Sequence, residues 1–262
     1  MINRSKQTVS SKLVKTGLLR GGKLGKHVPV TVSFSRERLR KMLGKRGMVY
    51  VKPDTGSQGI GILRVERRSS GRYRYQLGTE RYDFGNYAGM YMSMRRRMGK
   101  RRHLIQRGVR ALRYEGRPFD FRIMVQKNAA GRWVDTGVAG RVAHPGKIVS
   151  NGSQGGAIYE AGRLLRPAAG HTETAGLIER MRKLALLTAG RFGRSYPAMN
   201  ELGIDIAVDR GRKPWILEVN TRPDPCPFAK LEDRTAIRRI VRYGRGYGRR
   251  YCLKCGKAKT GT

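Results

Sequence analysis

Two carboxylates and an amide lie at the ends of apolar stretches late in the chain. Glu218 and Asn220 close one apolar run, and Asp205 lies inside another, residues 202–208. Side chains two residues apart in a strand share a face, so Glu218 and Asn220 point to the same side. The polar segment 209–214 between the runs predicts a hairpin that brings the three side chains together. Such oxygen donors hold magnesium, which prefers carboxylates combined with substrate phosphates.

A lysine followed by a glycine-rich loop lies near residue 50. The apolar residues 49–51 lead into Lys52, and residues 56–61 read Gly-Ser-Gln-Gly-Ile-Gly. Glycine lets backbone N–H groups turn toward an anion and lysine adds a charge, so this order predicts a phosphate site. It is neither a Walker loop, which needs Gly-Lys-Ser/Thr, nor a kinase loop, in which the glycines precede the lysine strand. Taken alone, the loop also fits an ordinary hairpin turn.

Charged residues interrupt a third apolar stretch, residues 119–125. Asp120 and Arg122 lie within it, where burial is costly unless charges are paired or used. The simplest structural alternative is an Asp120–Arg122 ion pair, or exposure at a sheet edge. Arg141 adds a second cation, and Asn151 follows in a glycine turn, where asparagine also serves a purely conformational purpose.

The elements that must position these residues follow from the periodicity. Helices are predicted over 36–43, with Ser35 as N-cap, over 86–101, and over 172–189, where Gly190 ends the helix. Strands are predicted over 48–52, 60–66, 73–77, 103–109, 119–126 and 133–142, followed by the hairpin 202–219. A short helix is expected after residue 228, before a tail rich in Gly, Arg, Tyr and Lys. Strands mixed with helices indicate an α/β (α+β) architecture.

Composition adds an extreme positive charge. The 262 residues include 57 Lys and Arg against 18 Asp and Glu, for a formal net charge of +39. Such a field attracts polyanions, including nucleic acid. We expect no membrane span or signal peptide, because the long apolar runs that either needs are missing. Three cysteines make a disulfide framework improbable, so we expect a reducing, cytoplasmic location.

Taken in order along the chain, these motifs resemble the ATP-grasp superfamily of carboxylate–amine ligases, over about residues 49–228. Residues 51–59 and 119–122 are most similar to its YheC/YheD endospore-coat-associated group. The resemblance implies an ATP-grasp fold, in which two α/β subdomains clasp the nucleotide, with a shortened N-terminal region. The implied domains are a basic N-terminal region (1–46), a small subdomain (47–107), a large subdomain (108–232) and a flexible basic tail (233–262).

The resemblance also implies a reaction and a site. The expected activity is ATP-dependent joining of a carboxylate to an amine through an acylphosphate, with ATP and one or two magnesium ions bound. The implied metal ligands are Asp205, Glu218 and Asn220, and the implied catalytic residues are Arg122, Arg141 and Asn151. The implied nucleotide contacts are Lys52, Gly56, Ser57, Gln58, Gly59, Gly61, Gln106 and Val109. A further ATP lysine is expected in the N-terminal region, and Lys12, Lys15 and Lys23 remain open.

Two other functions compete with the ligase. One is a non-catalytic binder of nucleic acid or another polyanion, favoured by the charge and by a tail in which aromatic residues alternate with arginines. The other is a structural spore-coat component without activity. Cys252 and Cys255 supply half of a zinc site, but we expect free thiols in a flexible tail.

Overall fold

Two β-sheets and seven helices make up the described part of the chain, which in this computed structural model comprises residues 7–150, 155–256 and 259–261. The helices are α1 (Lys12–Leu18), α2 (Gly22–Gly25), α3 (Arg36–Arg46), α4 (Tyr87–Met98), α5 (Ala161–Ser195), α6 (Cys226–Ala229) and α7 (Thr235–Gly246). The strands are β1 (Thr31–Ser33), β2 (Met48–Pro53), β3 (Leu63–Arg67), β4 (Tyr73–Leu77), β5 (Glu80–Phe84), β6 (His103–Arg107), β7 (Arg113–Tyr114), β8 (Arg117–Lys127), β9 (Trp133–Val142), β10 (Ala157–Tyr159), β11 (Glu201–Val208), β12 (Pro214–Asn220) and β13 (Lys259–Thr260). Helices combined with mainly antiparallel strands confirm the predicted α/β (α+β) class.

The smaller sheet has the strand order β1-β6-β2-β3-β4-β5. Its residues alternate between two faces. Val49 and Val51 of β2 are fully buried in a core that includes Leu43 of α3 and residues of α4. Tyr50 and Lys52 therefore point to the opposite face, away from these helices.

The larger sheet has the order β12-β11-β8-β9-β10-β13, with β7 paired to the start of β8. On one face, Phe121 and Ile123 of β8 pack in a common core with Leu177 and Met181 of α5. The opposite face carries Asp120 and Arg122, which are two residues apart on β8. Farther along that face, α6 and α7 pack over the sheet through Phe228, Ile237 and Ile240.

Several elements match the sequence predictions. The hairpin is formed by β11 and β12, and the strands predicted near residues 48, 73, 119 and 133 are confirmed as β2, β4, β8 and β9. Ser35 caps α3 by accepting a hydrogen bond from the Arg38 backbone N–H, as predicted. The short strands β1 and β5 were not predicted, because three to five polar-rich residues carry little periodicity.

The predicted end of the long helix is wrong. Gly190 lies inside α5, which continues to Ser195 and begins earlier, at Ala161, with a kink where Gly170 has φ 70°. Phe192 is fully buried on the continued apolar face. The packing of Phe192 offsets the loss of helix stability caused by Gly190, which is only about 1 kcal/mol.

The expectation of a flexible tail with free thiols is also wrong for the described residues. Residues 235–246 form α7, which confirms the short helix expected after residue 228, and beyond it the Tyr251 hydroxyl donates to Glu201 on β11. Cys226 and Cys255 form a disulfide, with Cα atoms 5.4 Å apart, and Cys252 is an exposed free thiol. This pairing was missed because the approach of the two cysteines depends on the docking of residues after α7. Among the helices of the described residues, none has the apolar length that a membrane span requires.

Candidate functional site

A row of charged side chains crosses three adjacent strands of the larger sheet. Arg122 on β8 lies opposite Asp205 on β11, and Asp205 lies opposite Glu218 on β12. Asn220 is paired with Gly203 on β11, and its Nδ2 lies 3.3 Å from Asp205 Oδ2. The hairpin therefore brings Asp205, Glu218 and Asn220 together, as its spacing predicted.

Asp120, Arg141, Asp205 and Arg122 form a continuous buried ion-pair network. Arg141 donates to both oxygens of Asp120 at 2.7 and 2.8 Å, and its Nη2 lies 3.0 Å from Asp205 Oδ2. Arg122 donates to both Asp205 oxygens. Asp120 thus pairs with Arg141 rather than with Arg122, because partners across a ladder lie closer than residues two apart on one strand.

The network controls the ionisation of its members. Burial by itself would raise the pKa of Asp205, but Arg122 and Arg141 outweigh it and lower that pKa to about 2. Burial would lower the pKa of Arg141, but Asp120 and Asp205 more than compensate and raise it. Asp205 and Arg141 therefore remain charged at neutral pH.

Three lysines surround Glu218 and its neighbours. Lys52 Nζ donates to Gln106 Oε1 at 2.7 Å, and Lys12 Nζ and Lys15 Nζ lie 3.8 and 3.9 Å from Glu218 Oε1. Burial lowers the pKa of both Lys52 and Lys15, and Glu218 opposes each shift. These lysines are held close together and largely shielded from water, so an additional anion would relieve their mutual repulsion.

The N-terminal lysines reach the site through α1. Ser11 caps α1, and Asp54, just after β2, accepts hydrogen bonds from Ser11 Oγ and the Leu13 backbone N–H. Lys12 and Lys15 are therefore brought to Glu218, whereas Lys23 is exposed on α2. The three-residue spacing of Lys12 and Lys15 after Ser11 indicates a helix, but the sequence does not show where that helix docks.

The glycine-rich loop between β2 and β3 is exposed. Gly56, Gln58, Gly59 and Gly61 have positive φ values of 115°, 64°, 72° and 74°. Such a backbone favours glycine, which is present at three of these four positions. Lys12 Nζ donates to the Gly56 carbonyl at 2.8 Å and so links α1 to the loop. In the described conformation, residues 56–61 do not line the cleft below, and their nucleotide contacts remain predictions.

A cleft separates the polar faces of the two sheets. It encloses about 750 Å³, counting its open mouth. Its lining combines apolar residues with charged ones. The apolar residues include Ile62, Val109, Ile148 and Leu217, and the polar ones include Lys52, Gln106, Asp120, Arg141, Asp205 and Glu218.

Some predicted residues lie behind the cleft or beyond the described ranges. Arg122 and Asn220 are not among the described lining residues, although both contact Asp205. Arg122 is buried, so its position suits it to orient Asp205. Asn151 lies outside the described residues.

The site is chemically suited to a phosphate ligand with a metal. Five cations (Lys12, Lys15, Lys52, Arg122 and Arg141) face three carboxylates (Asp120, Asp205 and Glu218), which leaves an excess of positive charge. Glu218 is more open to solvent than Asp205, with 22% of its side chain exposed against 7%. Two carboxylates and an amide oxygen match what magnesium takes from protein when phosphates complete its shell.

Comparison with known proteins assigns the chain to a family. A model of the YheC/D like ATP-grasp family matches residues 6–249. The chain is 27% identical over 203 residues to the endospore coat-associated protein YheD of Bacillus subtilis (strain 168), covering 74% of this chain and 44% of YheD. It is 22% identical over 201 residues to YheC of the same organism, covering 75% of this chain and 55% of YheC. The chain thus spans about half the length of these two relatives.

A solved structure supports the fold independently. N5-carboxyaminoimidazole synthase from Aspergillus clavatus, in complex with ADP and 5-aminoimidazole ribonucleotide, superposes with a TM-score of 0.56 at 9% identity. The match covers 97% of this chain and 55% of the synthase. The two sheets and the cleft between them are thus an ATP-grasp fold, and the chain belongs to the YheC/D-like ATP-grasp family.

Proposed function

We propose that this chain is an ATP-dependent carboxylate–amine ligase. The observation that carries the proposal is the convergence of Lys52, Arg141, Asp205 and Glu218 on one cleft between the two sheets. A protein that only binds polyanions has no need of carboxylates in its binding site, because they repel the ligand. A nucleotide whose phosphates are accompanied by magnesium uses both the cations and the carboxylates.

The reaction has two steps. An oxygen of the substrate carboxylate attacks the γ-phosphorus of ATP, the bond from that phosphorus to the β–γ bridging oxygen breaks, and ADP leaves. The amine then attacks the acyl carbon of the acylphosphate, the carbon–oxygen bond to phosphate breaks, and the nitrogen loses a proton. The products are an amide, ADP and phosphate.

The residues of the cleft position the reactants and stabilise charge, which is most of what phosphoryl transfer requires. Lys52, with Lys12 and Lys15, would bind the phosphates, and the loop 56–61 would close over them. Asp205, Glu218 and Asn220 would hold magnesium, which when bound neutralises the charge on the β- and γ-phosphates. Arg141 would stabilise the charge that develops during acyl transfer. Gln106 and Val109 would contact the adenine.

Trapping the acylphosphate with hydroxylamine would test this reaction class. The chain would be incubated with ATP, magnesium, hydroxylamine and panels of carboxylates, and hydroxamate and ADP would be measured. We expect ADP to form in proportion to hydroxamate for some carboxylates, and both to disappear in Lys52→Met. ADP formation that no carboxylate stimulates would contradict a ligase.

The second candidate is a non-catalytic polyanion-binding or structural spore-coat protein. It is favoured by the net charge of +39 and by the names of the two relatives, from which we also infer a spore-associated location. Nucleotide binding that ignores magnesium and disappears in high salt would favour this candidate. Saturable, magnesium-dependent binding at high salt would favour the ligase.

A further inference from the structure

A broad basic groove adjoins the cleft on its outer side. Its walls are the exposed parts of β3 to β5, the β7–β8 hairpin and the segment 144–148 after β9, and it encloses about 1600 Å³, counting its open mouth. Tyr50, Val109, Ala111, Pro118 and Ile148 line both the groove and the cleft. The groove and the cleft are therefore continuous.

The register of the smaller sheet explains the direction of the groove. Gln106, Tyr50, Arg64, Gln76 and Arg81 are successive partners across β6, β2, β3, β4 and β5. They form one row of polar side chains that starts in the cleft and ends at the sheet edge. Gln76 also donates to the Gly146 carbonyl at 2.6 Å and connects this row to the opposite wall.

The charge of the groove is strongly one-sided. Its described lining contains eight arginines and one lysine against a single glutamate, Glu66, which is already paired with Arg64. Arg67, Arg81, Arg110 and Arg210 are exposed there, and within the described residues none of them makes an ion pair. Unpaired arginines on both sides of a concave surface favour an anionic ligand that enters the groove.

The shape and composition of the groove favour an acidic polypeptide over nucleic acid. Single-stranded nucleic acid binds on aromatic platforms, but Tyr50 and His144 are the aromatic rings among the described lining residues, and the Lys52 ammonium already lies 5.8 Å from the Tyr50 ring centroid. Duplex DNA is read by an element that projects into its grooves, whereas this surface is recessed. Guanidinium groups bind carboxylates as well as phosphates in a two-bond geometry, so the arginines fit acidic side chains, and Gly47, Gly116 and Gly146 leave room for a polypeptide backbone.

We propose that this groove binds an acidic polypeptide segment, rich in Asp or Glu, alongside the nucleotide cleft. Apart from Val109, which lines both the groove and the cleft, the lining residues of the groove are not those assigned to ATP and magnesium. Peptide binding in the groove therefore does not depend on the ligase reaction, and the peptide titration itself contains no nucleotide.

Two double variants with the same change in charge would test the proposal. Arg81→Glu/Arg110→Glu alters the groove, and Arg238→Glu/Arg242→Glu alters exposed arginines on α7, outside the groove. Fluorescence anisotropy would measure the binding of a labelled oligo-glutamate peptide and of an oligothymidylate of matched length and charge, at physiological salt. Circular dichroism and nucleotide binding would verify that both variants retain the fold and the cleft.

The proposal expects saturable peptide binding that weakens about tenfold or more in the groove variant and less than about twofold in the α7 variant. Equal weakening by both variants would overturn it, because the binding would then reflect net charge alone. Tighter binding of the oligothymidylate, lost selectively in the groove variant, would also overturn it in favour of nucleic acid. No peptide binding by the native chain would refute it directly, whatever the outcome of the hydroxylamine experiment.

Discussion

Replacing Glu218 by Gln should change nucleotide affinity in opposite directions with and without magnesium. Glu218 Oε1 lies within 4 Å of both Lys12 Nζ and Lys15 Nζ. Without metal, the negative charge of Glu218 therefore pairs with the two lysines that would otherwise bind phosphate. The glutamine keeps the size of the side chain and removes the charge. Without magnesium the variant should therefore bind ATP more tightly than the native chain.

The magnitude follows from the charges and their exposure. The Glu218 carboxylate and a phosphate bound about 6 Å away would repel each other by about 0.7 to 2.8 kcal/mol, for effective dielectric constants of about 80 to 20. Since 22% of the Glu218 side chain is exposed, we expect the low part of this range, about 1 kcal/mol or about a fivefold gain in affinity. With magnesium the variant loses a carboxylate ligand, and affinity should fall about tenfold or more.

Calorimetric titration of ATP at about 0.5 M salt would measure both effects, because screening removes most non-specific attraction to a protein of this charge. Glu179→Gln is the matched control, since Glu179 is an exposed glutamate on α5, paired with Lys183 and outside the cleft. The control should leave both affinities unchanged. The reasoning is refuted if Glu218→Gln shifts affinity in the same direction under both conditions, or not at all.

Three further predictions concern the network, the lysines and α7. Arg141→Met should lower the free energy of unfolding, measured by urea titration, by about 3–5 kcal/mol, because it leaves Asp120 buried without its partner. The double variant Asp120→Leu/Arg141→Met should recover at least half of that loss. Lys15→Met should weaken magnesium–ATP binding about tenfold in calorimetry, whereas Lys23→Met, on exposed α2, should change it less than twofold. Ile240→Ala should cost about 2–5 kcal/mol in urea unfolding, because Ile240 is fully buried between α7 and the larger sheet.

Each of these predictions has a contradicting outcome. An Arg141→Met variant that loses less than about 1 kcal/mol would mean that water solvates the Asp120–Arg141 pair. Equal losses of affinity for Lys15→Met and Lys23→Met would show that only net charge matters. A negligible effect of Ile240→Ala would restore the expectation that the chain after residue 233 is a flexible tail.

The hairpin and its carboxylates were predictable because their pattern is local. Apolar runs on either side of a polar turn lead to pairing, and the two-residue repeat of a strand places Glu218 and Asn220 on one face. The order of these motifs also indicated the family, which the family match confirms.

The partners within the site were not predictable from spacing. Asp120 had a cation two residues away in Arg122, yet the closer cross-strand position selects Arg141. Lys12, Lys15 and Lys23 were equivalent in sequence, and only the anchoring of α1 by Asp54 distinguishes them. The end of α5 was misplaced because a buried Phe192 outweighs the low helix propensity of Gly190.

The sequence by itself determined the alternating strands, the hairpin with its metal-type oxygen donors, the glycine loop and the overwhelming positive charge. Only the tertiary structure decided which cations reach Glu218, how Asp205 is paired, that Cys226 meets Cys255, and that a basic groove continues the cleft. The physical reason is distance along the chain. Periodicity acts over a few residues, whereas contacts such as the Val9 N–H donating to Thr221 Oγ1 span 212 positions and form only once both sheets are packed.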